Sequence, residues 1–255
     1  MKVILLAGGF GTRISEETQD RPKPMIEIGG KPIICHIMEY YSRYGYNDFI
    51  LCLGYMGYAF KEYFSNYYLH NSDVTFDYSD NSHHYHQTRA KNWKVTLVDT
   101  GQTSMTGGRV KRVQKYLNPG EQFMLTYGDG LSDINLDHLL ASHEKNGKVC
   151  TVSAVSPPGR FGSLQIKGNS VTEFVEKPMG DGGFINGGFF VCNYSFFDYI
   201  SGDDSVLEKQ PLPTLASEQQ LNCFQHDGFW HPMDTLRDKI HLEDLWKSGG
   251  APWLI

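Results

Sequence analysis

The sequence predicts an α/β fold, a mostly parallel sheet flanked by helices. Three observations carry that expectation. Residues 3–7 form a continuous apolar run that opens directly into Gly8-Gly9, as a strand covered on both faces does. Apolar runs then alternate with helix-like segments over the first 155 residues, the rhythm of a doubly wound sheet. The strand-like runs also stop at turn residues: 49–53 at Gly54, 95–98 before Thr100-Gly101, and 123–127 at Gly128-Asp129-Gly130.

Each element follows in order. Residues 32–44 predict a helix, with Pro32 in its first turn and Gly45 just past its end. A second buried strand is expected at 49–53, an amphipathic segment at 58–64 and a strand at 95–98. Residues 105–116 predict a helix broken early by Gly107-Gly108. A strand at 123–127, a helix at 136–145 closed by Gly147, and a strand at 149–155 complete this stretch. Beyond it, short strands (171–175, 189–192) mix with helices near 194–200 and 235–247. Residues 78–92 are polar, carry Tyr78, His83, His84, Tyr85 and His86, and predict a protruding hairpin or loop. Nothing linker-like divides the chain.

The 255 residues are 40% apolar and 20% charged, which excludes a disordered, collagenous or coiled-coil protein. The net charge of −6 argues against nucleic acid as a partner, since affinity for that polyanion rests mainly on Lys and Arg. Five cysteines (35, 52, 150, 192, 223) form no Cys-x-x-Cys pair and three lie in apolar runs, so buried free thiols in a reducing cytoplasm are expected. No apolar run approaches the ~18 residues that span a bilayer. The N-terminal segment lacks a signal-peptide cleavage site. A cytoplasmic protein with no membrane partner is expected.

The segment Leu6-Ala7-Gly8-Gly9-Phe10-Gly11-Thr12-Arg13 follows a strand. Glycines let backbone N–H groups approach an anion, and ligands of open α/β sheets sit at the carboxyl ends of strands. Gly9 and Gly11 fit a dinucleotide fingerprint, but Ile14 stands where its third glycine belongs. A P-loop fails as well, because Pro32 follows Gly30-Lys31 and Met25 replaces the required glycine. A plain tight turn stays open as a reading of the glycines alone. Ten residues after Arg13 comes Lys23, in Arg21-Pro22-Lys23-Pro24-Met25. The two prolines are expected to hold Lys23 extended, away from helix or ladder. Two cations then stand near one phosphate-sized site.

Gly-Gly-x-Gly-Thr-Arg followed by Pro-Lys-Pro resembles the signature of the sugar-phosphate nucleotidylyltransferases. The resemblance extends through Tyr127-Gly128-Asp129-Gly130, Glu176-Lys177-Pro178, Asn186-Gly187-Gly188-Phe189-Phe190-Val191 and Asp234 in Phe229-Trp230-His231-Pro232-Met233-Asp234-Thr235. Three segments are similar to the members that use CTP and glucose 1-phosphate: residues 24–33, Asp99-Thr100-Gly101 with residues 105–109, and residues 157–162. The resemblance implies a Rossmann-like sheet of the nucleotide-diphospho-sugar transferase kind, as one domain over 1–255. Its nucleotide-binding half would cover about 1–130 and its sugar-binding half about 131–255.

It also implies roles. Leu6, Ala7, Gly8, Gly9, Phe10, Gly11, Thr12, Arg13, Lys23, Ser104, Arg109 and Gly128 would bind the nucleotide. Arg13 would hold the β- and γ-phosphates and Lys23 the α-phosphate; both are expected to be catalytic. Ser104 would lie near the base, and Arg109 would reach the phosphates of a neighbouring subunit in a homo-oligomer, a hexamer by resemblance. Read without the family, Ser104 and Arg109 flank a glycine-broken helix start with an exposed arginine. Lys177 would meet the sugar phosphate, Glu176 the sugar hydroxyls, with Asn186, Gly187 and Gly162 around the sugar. Asp129 and Asp234 would share one Mg²⁺, a hard cation suited to two carboxylates plus phosphate and water. By themselves, the residues leave open a turn aspartate at Asp129 and a helix N-cap at Asp234, and Glu176-Lys177 alone reads as a solvated pair.

The reaction implied is CTP + α-D-glucose 1-phosphate giving CDP-glucose + pyrophosphate, feeding dideoxyhexoses of surface polysaccharide. Alternatives are the same chemistry with dTTP, UTP or GTP or another sugar 1-phosphate, a non-catalytic nucleotide-sugar sensor, and an NAD-dependent dehydrogenase, the last weakened by Ile14. His83, His84 and His86 lack companions at zinc-site spacing, so subunit contact is favoured over metal for that segment.

Overall fold

The computed structural model describes residues 1–14, 17–157, 163–167, 170–175 and 183–254. Its centre is a seven-stranded sheet made of β1 (Lys2–Leu6), β2 (Asp48–Leu53), β3 (Lys94–Asp99), β4 (Phe123–Tyr127), β5 (Cys150–Val155), β6 (Ile185–Cys192) and β7 (Leu221–His226). Their order across the sheet is β7-β5-β6-β4-β1-β2-β3. All pairings are parallel except those of β6, which runs antiparallel to β4 and β5. The carboxyl ends of the parallel strands and the amino end of β6 therefore share one edge, where Val155 faces Ile185.

The apolar run of β1 serves two cores. Val3 and Leu5 join one cluster and Ile4 and Leu6 the other. Alternating side chains point to opposite faces, so a strand covered on both sides must be apolar throughout. The first face is covered by α1 (Ile33–Arg43), α2 (Gly57–Ser65) with the short α3 (Tyr67–His70) after it, and, further along the chain, by α5 (Leu136–Asn146) and α7 (Leu236–Lys247). The second is covered by α4 (Thr106–Val113), the 3-10 helix Tyr194–Tyr199 and α6 (Pro211–Ser217).

Local chemistry sets the helix ends. Pro32 precedes α1 and Gly45 follows at φ +82°, a conformation that favours glycine. The Asn135 side chain caps α5 by accepting from His138 N, and Gly147 closes it at φ +62°. At α7, Thr235 and Asp238 form a reciprocal capping box. On α1, His36 is buried between two indoles; Trp253 Nε1 donates to its Nδ1 and its Nε2 donates to Ile28 O. Burial pushes its pKa down to about 4, outweighing the Ile28 carbonyl.

Several details depart from expectation. The helix expected over 105–116 is not broken at its glycines. It runs unbroken from Thr106 to Val113 and continues as a 3-10 turn. Gly107 and Gly108 instead let the 203–205 backbone press against the helix start, where a Cβ at Gly107 would lie 2.7 Å from Ser205 O. The polar segment at 78–92 belongs to a two-stranded ribbon that begins earlier, at Ser72–Asp77, and returns as Ser82–Thr88. Four cysteines are buried free thiols, but Cys223 is exposed, on the outermost strand β7. No helix among the described residues is long and apolar enough to cross a membrane.

Candidate active site

The glycine loop leaves β1 at the shared sheet edge. Ala7 N is held by Cys52 O, and Gly128 N by Leu6 O at 3.0 Å, so the loops after β1, β2 and β4 are tied side by side. Gly11 has φ +64°, and a Cβ there would stand 2.9 Å from Thr18 Cγ2 and 3.1 Å from Lys23 Cβ. Residues 6–13, Lys23, Ser104, Arg109 and Gly128 all line one cavity of about 410 Å³, together with Gln102, Thr103, Met105, Thr106, Tyr127 and Asp129. The expected nucleotide-binding residues are thus brought together.

Lys23 is placed differently from the sequence expectation. It does not lie extended between its prolines but opens a 3-10 turn, Lys23–Met25, in which Met25 N donates to Pro22 O and Ile26 N to Lys23 O. Pro22 stays extended, and Pro24 supplies the φ that the turn needs without an N–H of its own to satisfy. The turn points the Lys23 side chain inward, where only 10% of it is exposed.

There it meets both aspartates. Lys23 Nζ donates to Asp129 Oδ2 at 2.5 Å and to Asp234 Oδ1 at 2.7 Å. Burial opposes its charge, but the two carboxylates outweigh that and hold its pKa above the ordinary lysine value. Arg13 Nη1 donates to Asp234 Oδ2 at 2.8 Å while most of its side chain stays in solvent. A small antiparallel ribbon brings the aspartates together across more than a hundred residues: Gly130–Ser132 pairs with Trp230–Pro232, and Met233 N continues the ladder to Asp129 O. The N-cap reading of Asp234 fails, because Thr235 caps α7. Two carboxylate oxygens converging on one ammonium suit a divalent hard cation completed by phosphate and water. Among the described residues, no cluster of three or more His, Cys, Asp or Glu forms an all-protein cage.

Arg109 also departs from expectation. It is not the exposed arginine of a helix start. Its guanidinium is buried and donates to Leu53 O, Thr100 Oγ1, Gly101 O and Gln102 O of its own chain. The five donors of a planar guanidinium suit this cluster of three carbonyls and one hydroxyl. Burial lowers its pKa from the usual arginine value.

A second cavity of about 310 Å³ adjoins the first; Arg13, Tyr127 and Asp129 line both. Asn186 and Gly187 line it, with Gly188, Trp230 and Asp234. Trp230 Nε1 donates to Gly187 O at 2.7 Å and fixes the strand start. Gly162, Glu176 and Lys177 lie outside the described residues. Sequence reasoning missed Tyr127 and Trp230 as lining residues, although both stand inside motifs it quoted. On the outlying ribbon, the His84 and His86 rings lie 4.7 Å apart.

A family model described as nucleotidyl transferase matches residues 2–236. The chain belongs to the nucleotidyl transferase family. Within the family it is 56% identical to the glucose-1-phosphate cytidylyltransferase of Salmonella typhimurium, over 99% of this chain and 98% of that protein. The protein of the same name from Salmonella typhi matches equally, at 56% over the same shares. Among solved structures, HddC from Yersinia pseudotuberculosis superposes with a TM-score of 0.69 at 25% identity, covering 96% of this chain and 99% of that one. HddC thus shares the fold of this chain over nearly its whole length.

Proposed function

We propose that this protein transfers the cytidylyl group of CTP to α-D-glucose 1-phosphate, giving CDP-glucose and pyrophosphate. The observation that carries the chemistry is Lys23, held between Asp129 and Asp234 at the wall where the two cavities meet. The 56% identity to the Salmonella cytidylyltransferases over nearly the whole chain supports the choice of substrates.

CTP would occupy the larger cavity, its β- and γ-phosphates against the glycine loop and Arg13, its base toward Ser104. Arg109 would stiffen that loop from beneath. The sugar phosphate would take the smaller cavity beside Asn186 and Gly187, with Lys177 on its phosphate, Glu176 on its hydroxyls and Gly162 nearby, as the family resemblance implies. A sugar-phosphate oxygen attacks the α-phosphorus of CTP in line, the bond to the bridging oxygen of pyrophosphate breaks, and pyrophosphate carries that electron pair away. The attacking oxygen is already anionic, so no base is required. Lys23 aligns the α-phosphate and offsets its developing charge. Asp129 and Asp234 would hold a divalent cation, Mg²⁺ in this reading, whose chemistry is to neutralise phosphate charge.

We take the chain as a single catalytic domain, working in the cytoplasm, a place that suits its unpaired buried thiols. The exposed Phe76, Tyr78 and Tyr85 of the ribbon favour a homo-oligomer. The deciding experiment measures pyrophosphate release from CTP, dTTP, UTP and GTP with glucose 1-phosphate and Mg²⁺. CTP should exceed the other three by at least about tenfold, the factor of one lost hydrogen bond or so. Faster turnover of another nucleotide overturns the base, and binding without pyrophosphate release makes the protein a sensor.

A further inference from the structure

Glu208 carries no role in the chemistry above, yet its carboxylate joins the two cavities. It sits in the segment between the 3-10 helix Tyr194–Tyr199 and α6. One oxygen, Oε1, accepts from the Tyr127 hydroxyl. The other, Oε2, accepts from Thr106 Oγ1 at 3.0 Å, and Thr106 Oγ1 in turn accepts from Leu207 N at 2.9 Å. Thr106 lines the larger cavity. On the other side, Asn186 Nδ2 donates to the Tyr127 hydroxyl at 3.3 Å, and Asn186 Oδ1 accepts from Gly188 N at 2.8 Å. Asn186 and Gly188 line the smaller cavity.

The Tyr127 ring is fitted to this place. It packs where a side chain at Gly188 would stand, with Cδ2 2.6 Å from a Cβ built there, and Gly188 has φ +81°. The ring lines both cavities.

We propose that Tyr127 and Glu208 are positioning residues that couple the two substrate subsites. A nucleotide settling against Thr106 fixes Glu208, Glu208 fixes the Tyr127 hydroxyl, and Tyr127 fixes Asn186 for the sugar phosphate. Each hydrogen bond in the series holds the next side chain in one rotamer, so ordering paid for by the first ligand need not be met again by the second. Burial and the Glu208 carboxylate both push the Tyr127 pKa upward, so the phenol keeps its proton and remains the donor toward Glu208. This coupling rests on the substrate reading above.

The test is calorimetric titration of the intact protein with the α,β-methylene analogue of CTP, with and without saturating glucose 1-phosphate, in Mg²⁺. The wild type should bind the analogue about tenfold more tightly when the sugar phosphate is present, within the usual range of coupling factors. Tyr127→Phe keeps the ring against Gly188 but loses the hydroxyl; Glu208→Gln keeps the shape but loses the charge. Both should bring the ratio close to one with thermal midpoints near that of the wild type. A purely structural role would weaken both ligands and leave the ratio intact, which overturns the coupling. So does a wild-type ratio of one, or loss of coupling in only one variant. Wild-type protein that does not bind the CTP analogue refutes the substrate reading instead, a result distinct from two ligands that bind independently.

Discussion

The Arg109 guanidinium occupies the space that a side chain on Gly8 would need: a Cβ there would stand 2.9 Å from Arg109 Nε and 2.5 Å from Cζ, with Nη1 closer still. Glycine in this loop therefore serves two different ends. At Gly8 it admits a cation from below. At Gly9 a Cβ would meet nothing within 4 Å, and the space belongs to the cavity.

Alanine separates these two uses. Gly8→Ala should displace Arg109 from four acceptors and cost about 1–3 kcal/mol of stability, the range for buried polar groups left unpaired. Gly9→Ala should leave stability within about 0.5 kcal/mol while weakening nucleotide binding. Urea unfolding and calorimetric CTP titration measure the two effects, and equal stability losses would contradict the assignment.

Lys23→Ala should lower kcat by on the order of 10²–10³, as removal of a charge aimed at the reacting phosphorus does. It should also leave Asp129 and Asp234 facing each other without their shared ammonium. Binding of Mn²⁺ without nucleotide, followed by electron paramagnetic resonance, should then tighten relative to wild type. A variant turning over within about threefold of wild type, far short of that loss, would remove Lys23 from the reacting centre.

Asp234→Asn and Thr235→Ala should give opposite patterns. The first should lower kcat by roughly 10²-fold and raise the Mg²⁺ requirement, while the cap of α7, which lies on Thr235, stays intact. The second should cost about 1 kcal/mol of stability by removing that cap. Full activity with normal Mg²⁺ dependence in Asp234→Asn would defeat the metal-holding role.

His36 gives the protein a pH dependence remote from catalysis. Its pKa is about 4 when folded, against an ordinary value near 6.5. Between those values the unfolded chain binds the extra proton. The contribution of the neutral imidazole is therefore complete above pH 6.5 and is lost as pH falls toward and through 4, amounting to about 3 kcal/mol. His36→Gln, which keeps a donor for Ile28 O and an acceptor for Trp253, should flatten stability curves measured across that window. An unchanged slope would show that another group sets it.

What could be read from sequence follows the physics of each element. Strands β1 and β2 are buried on both faces, and their unbroken apolar runs are readable without a fold. Strand β7 lies at the sheet edge, half-buried, and its Leu-Asn-Cys-Phe-Gln-His mixes polar and apolar residues too evenly to predict a strand. Two prolines in its first turn hid α6. In the site, residues 6–13 and Lys23 are near one another in the chain, so their spacing carries the signal. Lys23 opens a 3-10 turn instead of lying extended, and the half-buried carboxylates its side chain meets come from positions 129 and 234, far off in the chain and invisible locally. The bonds of Arg109 to carbonyls at 53 and 101–102, and of Glu208 to Tyr127, exist only after folding, and no local pattern announces them.

The reversed strand β6 has a consequence for protein engineering. It pairs with β4 along Phe189–Cys192, so the two halves of the chain are joined by a ladder of hydrogen bonds rather than by a surface groove. A fragment ending near residue 130 would leave β4 as a bare, apolar edge bearing Phe123, Met124 and Leu125, a template for aggregation. Chimeras that exchange the second half of the chain between relatives therefore need crossover points that keep β4 and β6 from the same parent.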